Sequence, residues 1–400
     1  MIKRELYLSK IRLFYDSDLI KVLVGIRRCG KSVILKQIIQ ELLERNIDSD
    51  HIIYLNFELL DYAQLTNEQA LFQFIKKKIV DQKKYYLLFD EIQSVENFEK
   101  AINSFRADLN VSIFITGSNG RLLSGELATF LSGRYVEFKI LPFSYAETCQ
   151  FLTLQGKKVN ENTFLDYLKW GGMPQRFSFE NEEQIKIYLT DLYNSIILKD
   201  VVQRAKVKNI ALLEKIIQFL LDNLGQIFSA SSVVKFLRNE KRTISTETIY
   251  NYLYFLTNSL IFNCVNRYDL KGKKILSTLD KYFVADLGIK QIKKTEVEFK
   301  ISGCLENIVY NELISLGYIV YIGKIYQKEI DFIAVKADIK KYFQVTYLLN
   351  DEKIIQREFD VYQTVNDSYP KYVISMDKVD FSRNGVIHLN IVDFLLKKDW

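Results

Sequence analysis

Eight consecutive residues carry the strongest chemical signal in the chain: Gly25, Ile26, Arg27, Arg28, Cys29, Gly30, Lys31 and Ser32. Their pattern, G-x-x-x-x-G-K-[ST], suits the gripping of a polyphosphate. The two glycines let the backbone curl so that successive N–H groups aim at one spot. That spot lies at a helix N-terminus, where unsatisfied donors and the macrodipole favour an anion. Lys31 adds a point charge that reaches terminal phosphates, and the Ser32 hydroxyl is placed to ligate a bridging Mg2+. Arg27 and Arg28 either screen phosphate charge or form a solvated loop face.

A second group of reactive side chains ends the run YYLLFDEIQ at 85–93. Apolar residues lead straight into Asp90 and Glu91, so a buried parallel strand would present two carboxylates at its C-terminal tip, where open α/β sheets bind ligands. Asp90 is expected to hold Mg2+ through water, and Glu91 to orient and deprotonate an attacking water. The run VSIFITG at 111–117 ends at Ser118 and Asn119. On a strand expected between those of the loop and the acids, they would touch a γ-phosphate or the water, cap the next helix, or do both. Arg134 is the candidate γ-phosphate arginine, acting in its own subunit or a neighbouring one, with an ordinary surface arginine as the alternative.

These groups need a scaffold, and the pattern around them is strand–helix alternation. Residues 22–25 read as a strand, 32–45 as an amphipathic helix with Val33, Leu35, Ile38, Ile39 and Leu42 inward, and 51–57 as a second strand. A helix at 71–80 and strands at 84–89, 111–117 and 135–140 complete an α/β unit with a parallel sheet.

At 400 residues and 48% hydrophobic content the chain has material for roughly two to four domain cores. With three prolines and no Gly/Ser-rich tract, long disordered linkers are not expected. A net charge of +6 permits a nucleic-acid partner without demanding one. Cys29, Cys149, Cys264 and Cys304 are scattered and only His51 and His388 join them, so no zinc spacing exists and reduced thiols in a cytoplasmic protein are expected. Early charges at Glu5 and Lys10 argue against a signal peptide. The uncharged stretch 248–266 is broken by Asn251, Asn258 and Asn263, so it reads as a helix plus strand rather than a membrane span.

Helices are expected at 144–153, 161–170 and 182–204 around the turn Gly171-Gly172-Met173-Pro174. Three more, at 211–225, 229–238 and 249–260, precede a hairpin of 261–268 and 274–285, which together make a winged helix-turn-helix. Lys271, Lys273 and Lys274 would meet phosphates from the wing. Thr246, Glu247, Tyr250 and Asn251 would face the major groove, although such a module also serves for protein contacts alone.

The strings GIRRCGKS, LLFDEIQ, ITGSNGRLLSGELATFLSGRYVEFKILPFSYAE and GGMPQ resemble the prokaryotic AAA+-type ATPases of the archaeal ATPase/STAND-related group. Their ATPase domain is commonly fused to a C-terminal region with a restriction-endonuclease-like core. The resemblance implies an additional-strand P-loop ATPase core over 1–141, using ATP and Mg2+, with adenine rather than guanine as the base. By position, 142–206 would be a helical lid, followed by the winged helix at 207–292 and an α/β nuclease-like domain at 296–400.

In that last region the order of elements resembles a PD-(D/E)xK core, with Glu306 on the first helix and Asp331 on a later strand. The expected E-x-K is replaced by Gln344-Val345-Thr346, which lacks the charge for metal binding and the ammonium that activates water, so robust cleavage is not expected. The function expected is Mg-dependent ATP hydrolysis coupled to modules that bind DNA or protein. The alternatives are a nucleotide-gated switch with negligible turnover and an active nuclease. No membrane partner is expected, and a homo-oligomer is implied if Arg134 acts between subunits.

Overall fold

Strands rich in β-branched, aliphatic and aromatic residues build the first sheet, and its three inner strands are wholly buried. Ile20–Val24 (β1), Tyr85–Asp90 (β3) and Val111–Gly117 (β4) show no exposed residue. Ile52–Asn56 (β2) and Tyr135–Lys139 (β5) flank them in the order β2-β3-β4-β1-β5, all pairs parallel. All strand tips carrying ligand-binding potential therefore face one edge, and β4 stands between the loop strand and the acid strand. In this computed structural model residues 2–118, 131, 133–203, 205–239, 244–293 and 300–397 are described.

Helices Glu5–Ile11 (α1), Lys31–Glu44 (α2), Glu68–Lys78 (α3) and Phe98–Asp108 (α4) belong to the same unit. In α2 the buried side is Lys31, Ile34, Leu35, Ile38, Glu41 and Leu42. Val33 and Ile39, expected inward, are only half-buried, because the helix is rotated to bring Glu41 over Arg12 and Tyr15. Asn67 caps α3 by accepting from the N–H groups of Gln69 and Ala70.

The chain divides into two compact units, one running to Leu141 with Asn258–Leu260, the other comprising Pro142–Thr257 and the residues from Ile261 on. The second starts with Tyr145–Leu154 (α5), opened by a Ser144/Glu147 capping box, and Glu161–Trp170 (α6). Glu182–Ser195 (α7) then widens into π-helical turns over Ile196–Gln203, where one continuous α-helix was expected. Ile210–Asp222 (α8), Ala230–Asn239 (α9) and Thr246–Asn258 (α10) follow. Ser245 caps α10, its hydroxyl accepting from Thr248 N at 3.2 Å.

Phe262–Asp269 (β6) and Lys274–Val284 (β7) form the expected hairpin, but it does not stand alone. After Leu287–Ile292 (α11) and Ile301–Ser315 (α12) come Ile319–Ile325 (β8), Lys328–Lys336 (β9), Ile339–Val345 (β10), Glu352–Asp360 (α13) and Lys371–Ser375 (β11). Val386–Asn390 (β12) and Ile391–Leu396 (α14) complete a seven-stranded sheet, β12-β11-β10-β9-β8-β6-β7. β6 pairs parallel to β8 through Arg267, Tyr268 and Asp269, so one edge of the expected wing is covered by the C-terminal strands. Among the described residues no helix is long and apolar enough to cross a membrane.

The GG turn is explained by Asp286. Its carboxylate accepts from Gly172 N at 2.7 Å and caps α11 through Gly288 N at 2.9 Å. A Cβ on Gly171 would stand 2.0 Å from that carboxylate, and Gly171 has φ 70°, so only glycine fits there. Burial pushes the Asp286 carboxyl up to about 6 despite these donors.

Candidate functional site

The loop between β1 and α2 is held from behind. Gly25 is needed for close approach, since a Cβ there would lie 2.2 Å from the Ile140 carbonyl oxygen and 2.8 Å from Cys29 Sγ. Gly30 is needed for conformation, with φ 107° at the helix N-cap. Arg4, almost fully buried, donates to Cys29 O at 2.9 Å and to Leu141 O at 3.1 Å, bracing the outer side of the turn. No sequence pattern pointed to Arg4, because its partners are backbone carbonyls.

α2 begins without a side-chain cap and without an acid in its first turn. Its first N–H groups and dipole are thus left for an anion from elsewhere. Lys31, 4% exposed, turns its ammonium onto Gly25 O at 2.9 Å and Ile26 O at 3.4 Å, and stands 3.5 Å from Glu91 Oε1. Ser32 is half-buried beside it, Arg27 pairs with Glu58 at 3.5 Å, and Arg28 is exposed with φ 62°.

At the tip of β3 the two acids differ. Asp90 is fully buried, with Oδ1 accepting from Thr116 Oγ1 at 2.5 Å and Oδ2 from Tyr54 OH at 3.0 Å. Thr116 Oγ1 in turn accepts from Glu91 N at 2.9 Å, which ties β3 to the end of β4. Glu91 adopts φ 54° and ψ 48°, a left-handed conformation uncommon for a residue with a Cβ. Its Oε2 accepts a short hydrogen bond from Gln93 Nε2. Burial alone would raise the Glu91 carboxyl, but Lys31, Gln93, Arg27 and Ser118 outweigh it and hold the group below its ordinary value. Glu91 therefore stays ionised at neutral pH.

Lys31 and Glu91 are thus brought together, with Asp90 beside them on β3 and Ser118 at the end of β4. The Ser118 hydroxyl is fully buried beside the Glu91 carboxylate. Asn119 lies outside the described residues. Arg134 is displaced from this group. Its carbonyl accepts from Ile20 N at 2.9 Å, at the start of β1, whereas the loop follows the other end. Five residues of strand separate them, roughly 15 Å. Of the two expectations for Arg134, its own subunit or a neighbouring one, this placement favours the second. Thr116, Tyr54 and Gln93 were not singled out in the sequence, although Gln93 lies in the LLFDEIQ run.

In the second unit, Glu306, Asp331 and Gln344 line one cavity of about 470 Å³. Burial, then the neighbouring Asp331, pushes Glu306 well above the carboxylate range, and burial lifts Asp331 to about 6. Thr346 is buried beside them. The sequence did not reveal Lys281, which reaches this group from β7 and is 2% exposed. On α10 and the hairpin turn, Thr246, Glu247, Tyr250, Asn251, Lys271, Lys273 and Lys274 are all exposed.

The glycine loop, its lysine and the acidic strand tip, set on a parallel sheet with β4 inserted between them, define a P-loop protein of the AAA type. A family model described as an AAA domain matches residues 17–149, and one described as a domain of unknown function (DUF8612) matches 161–294. An uncharacterized protein of Haemophilus influenzae is 39% identical over 400 residues, covering 99% of each chain. An uncharacterized protein of Methanocaldococcus jannaschii is 31% identical over 386 residues, 94% of this chain and 85% of its own. The chain belongs to the family these two relatives represent. Among solved structures, Aeropyrum pernix Orc1 in complex with DNA aligns at TM-score 0.33 and 12% identity, over 73% of this chain and 92% of that one. AMPPCP-bound DnaA from Aquifex aeolicus aligns at TM-score 0.30 and 14% identity, over 53% and 66%. Likenesses at these scores carry no weight for function.

Proposed function

We propose that the chain binds Mg-ATP and hydrolyses it, and that the Lys31–Glu91 approach of 3.5 Å is the observation that carries this reading. A lysine in a glycine loop and an ionised carboxylate on the neighbouring strand tip are the two groups that γ-phosphoryl transfer to water requires side by side. The uncapped start of α2 and the Gly25–Ser32 backbone receive the phosphates, with Lys31 leaving the Gly25 and Ile26 carbonyls to pair with them. That move takes the ammonium from Glu91 and leaves its Oε1 open to accept a proton from the attacking water. Gln93 continues to hold Oε2, and Ser118 is placed beside the same carboxylate. Ser32 and Asp90 are the residues to hold Mg2+, Asp90 through water because both its oxygens already accept hydrogen bonds. The ion would neutralise charge developing on the β- and γ-phosphate oxygens.

Residues 142–206 are proposed as the lid, and 207–292 and 296–400 as the output modules. The exposed side chains of α10 and of the hairpin turn support contact with DNA or a protein, and the covered edge of β6 favours α10 as the contacting element. An arginine completing the nucleotide site would come from another molecule if Arg134 serves, which makes a homo-oligomer part of the proposal.

The test is a pair of variants. Lys31→Ala is expected to abolish ATP binding measured by calorimetry. Glu91→Gln is expected to bind normally while turnover falls by a factor on the order of hundreds. Hydrolysis by Glu91→Gln at the wild-type rate would remove Glu91 as the base, and single-turnover retention of ATP by the wild type for many minutes would favour a switch.

A further inference from the structure

The cavity lined by Glu306, Asp331 and Gln344 has the acids of a metal-dependent centre, but their donor atoms are already engaged. Lys281 Nζ lies 3.0 Å from Glu306 Oε2, 2.8 Å from Glu329 Oε1 and 3.6 Å from Asp331 Oδ1. Asp331 Oδ2 accepts from Val345 N at 2.8 Å, and Gln344 Oε1, the oxygen that would replace the missing glutamate, accepts from Asp331 N at 3.2 Å. Among the described residues no group of three or more His, Cys, Asp or Glu side chains is arranged to hold a metal ion. The donor set therefore does not fit a divalent ion as it stands, and the reason is visible. An ammonium occupies the point on which the carboxylates converge.

We propose that this cavity is a cation site filled by the chain's own Lys281, which takes the place of a divalent metal and fastens the β6–β7 hairpin to α12 and β9. Three observations support it. Lys281 comes from β7, outside the α12-β8-β9-β10-α13-β11 succession that carries the acids, so its position is not inherited from those elements. Its ammonium is withdrawn from solvent and meets carboxylates from two different elements. Gly225 closes the approach to Glu306, where a Cβ would stand 2.8 Å from Oε1, so the backbone is packed against the paired carboxylate. Buried carboxylates need a cation or a proton, and a fixed lysine supplies the first without metal. Glu358 Oε2 and Glu329 Oε2 also line the cavity, buried and without a partner among the described residues. They are donors that a metal would recruit once the lysine is gone.

The test uses the full chain without nucleotide and Mn2+ as the probe, read by calorimetry and by melting temperature rather than by activity. The wild type is expected to show no Mn2+ binding that Asp331→Asn removes. Lys281→Ala is expected to melt lower in chelator, to regain much of the loss in millimolar Mn2+, and to bind one ion with at least tenfold higher affinity than wild type. The double variant Lys281→Ala/Asp331→Asn should lose that recovery. Asp331-dependent Mn2+ binding by the wild type would overturn the proposal, and this arm needs no Lys281 variant to fold. A Lys281→Ala protein that is folded yet gains no Mn2+ binding would overturn it as well.

Discussion

Lys21 offers a quantitative test of how β1 is buried. It lies in the middle of the first sheet with no exposure, its ammonium 2.8 Å from Ser112 Oγ and 3.1 Å from Ser17 O. Burial, with Lys84 as a smaller contribution, lowers it from 10.5 to about 7. That drop corresponds to about 5 kcal/mol of cost for keeping the ammonium charged. The unfolded chain binds one more proton than the folded one between about pH 7 and 10.5, so stability must rise with pH across that window. Between pH 7 and pH 9.5 the gain from this residue is about 3 kcal/mol. Lys21→Met removes the cost but also two hydrogen bonds worth about 1 kcal/mol each. The variant should therefore be more stable than wild type by about 2–3 kcal/mol at pH 6.5 and level with it near pH 9.5. Urea unfolding by circular dichroism, with hydrogen exchange of β1 and β4 amides, reports this unit; tryptophan fluorescence would not, because neither tryptophan, Trp170 or Trp400, falls within its residues 1–141. Parallel wild-type and variant stability curves from pH 6.5 to 9.5 would refute the reasoning.

Gly25→Ala places a methyl 2.2 Å from the Ile140 carbonyl oxygen, so the loop must shift. The expected outcome is a loss of about 1–3 kcal/mol in stability and ATP affinity weaker by about tenfold or more, and calorimetry showing unchanged affinity would contradict the close-approach argument. Glu41 is held by Arg12 first, then Lys3 and Tyr15, and its carboxyl falls from 4.5 to about 2. A depressed acid stabilises above its unfolded value and loses that contribution as pH falls toward 2. A fall of that size corresponds to about 3 kcal/mol, so melting of Glu41→Gln should lie below wild type at pH 6 by roughly 6–12 °C and converge with it near pH 2, whereas a constant gap would assign the loss to packing instead of charge.

The glycine loop, the acidic strand tip and the parallel sheet were legible because each is a local pattern. β1, β3 and β4 are mostly apolar runs interrupted only by Lys21, Ser112 and Thr116 before their tips, as strands buried on both faces are written. The same reasoning located Glu306, Asp331 and Gln344 on the elements that carry them. It misjudged Val33 and Ile39, since helix rotation is set by Glu41 meeting Arg12 and Tyr15 across the unit. It left Arg134 open between its own subunit and a neighbouring one, and the parallel pairing of β5 with β1 sets its backbone at the end of β1 opposite the loop.

By itself the chain's order of residues determined that a glycine loop and two carboxylates would share one edge of a sheet, and that Gln344-Val345-Thr346 stands where the resemblance called for E-x-K. Only the tertiary structure decided that Arg4 braces the loop, that Thr116 ties Asp90 to the backbone of Glu91, and that Lys281 enters the acidic cavity. These are contacts between residues far apart in the chain, in which one partner is a backbone carbonyl or a single unremarkable side chain. No periodicity marks such a contact, so it exists as information only after the strands have been set side by side.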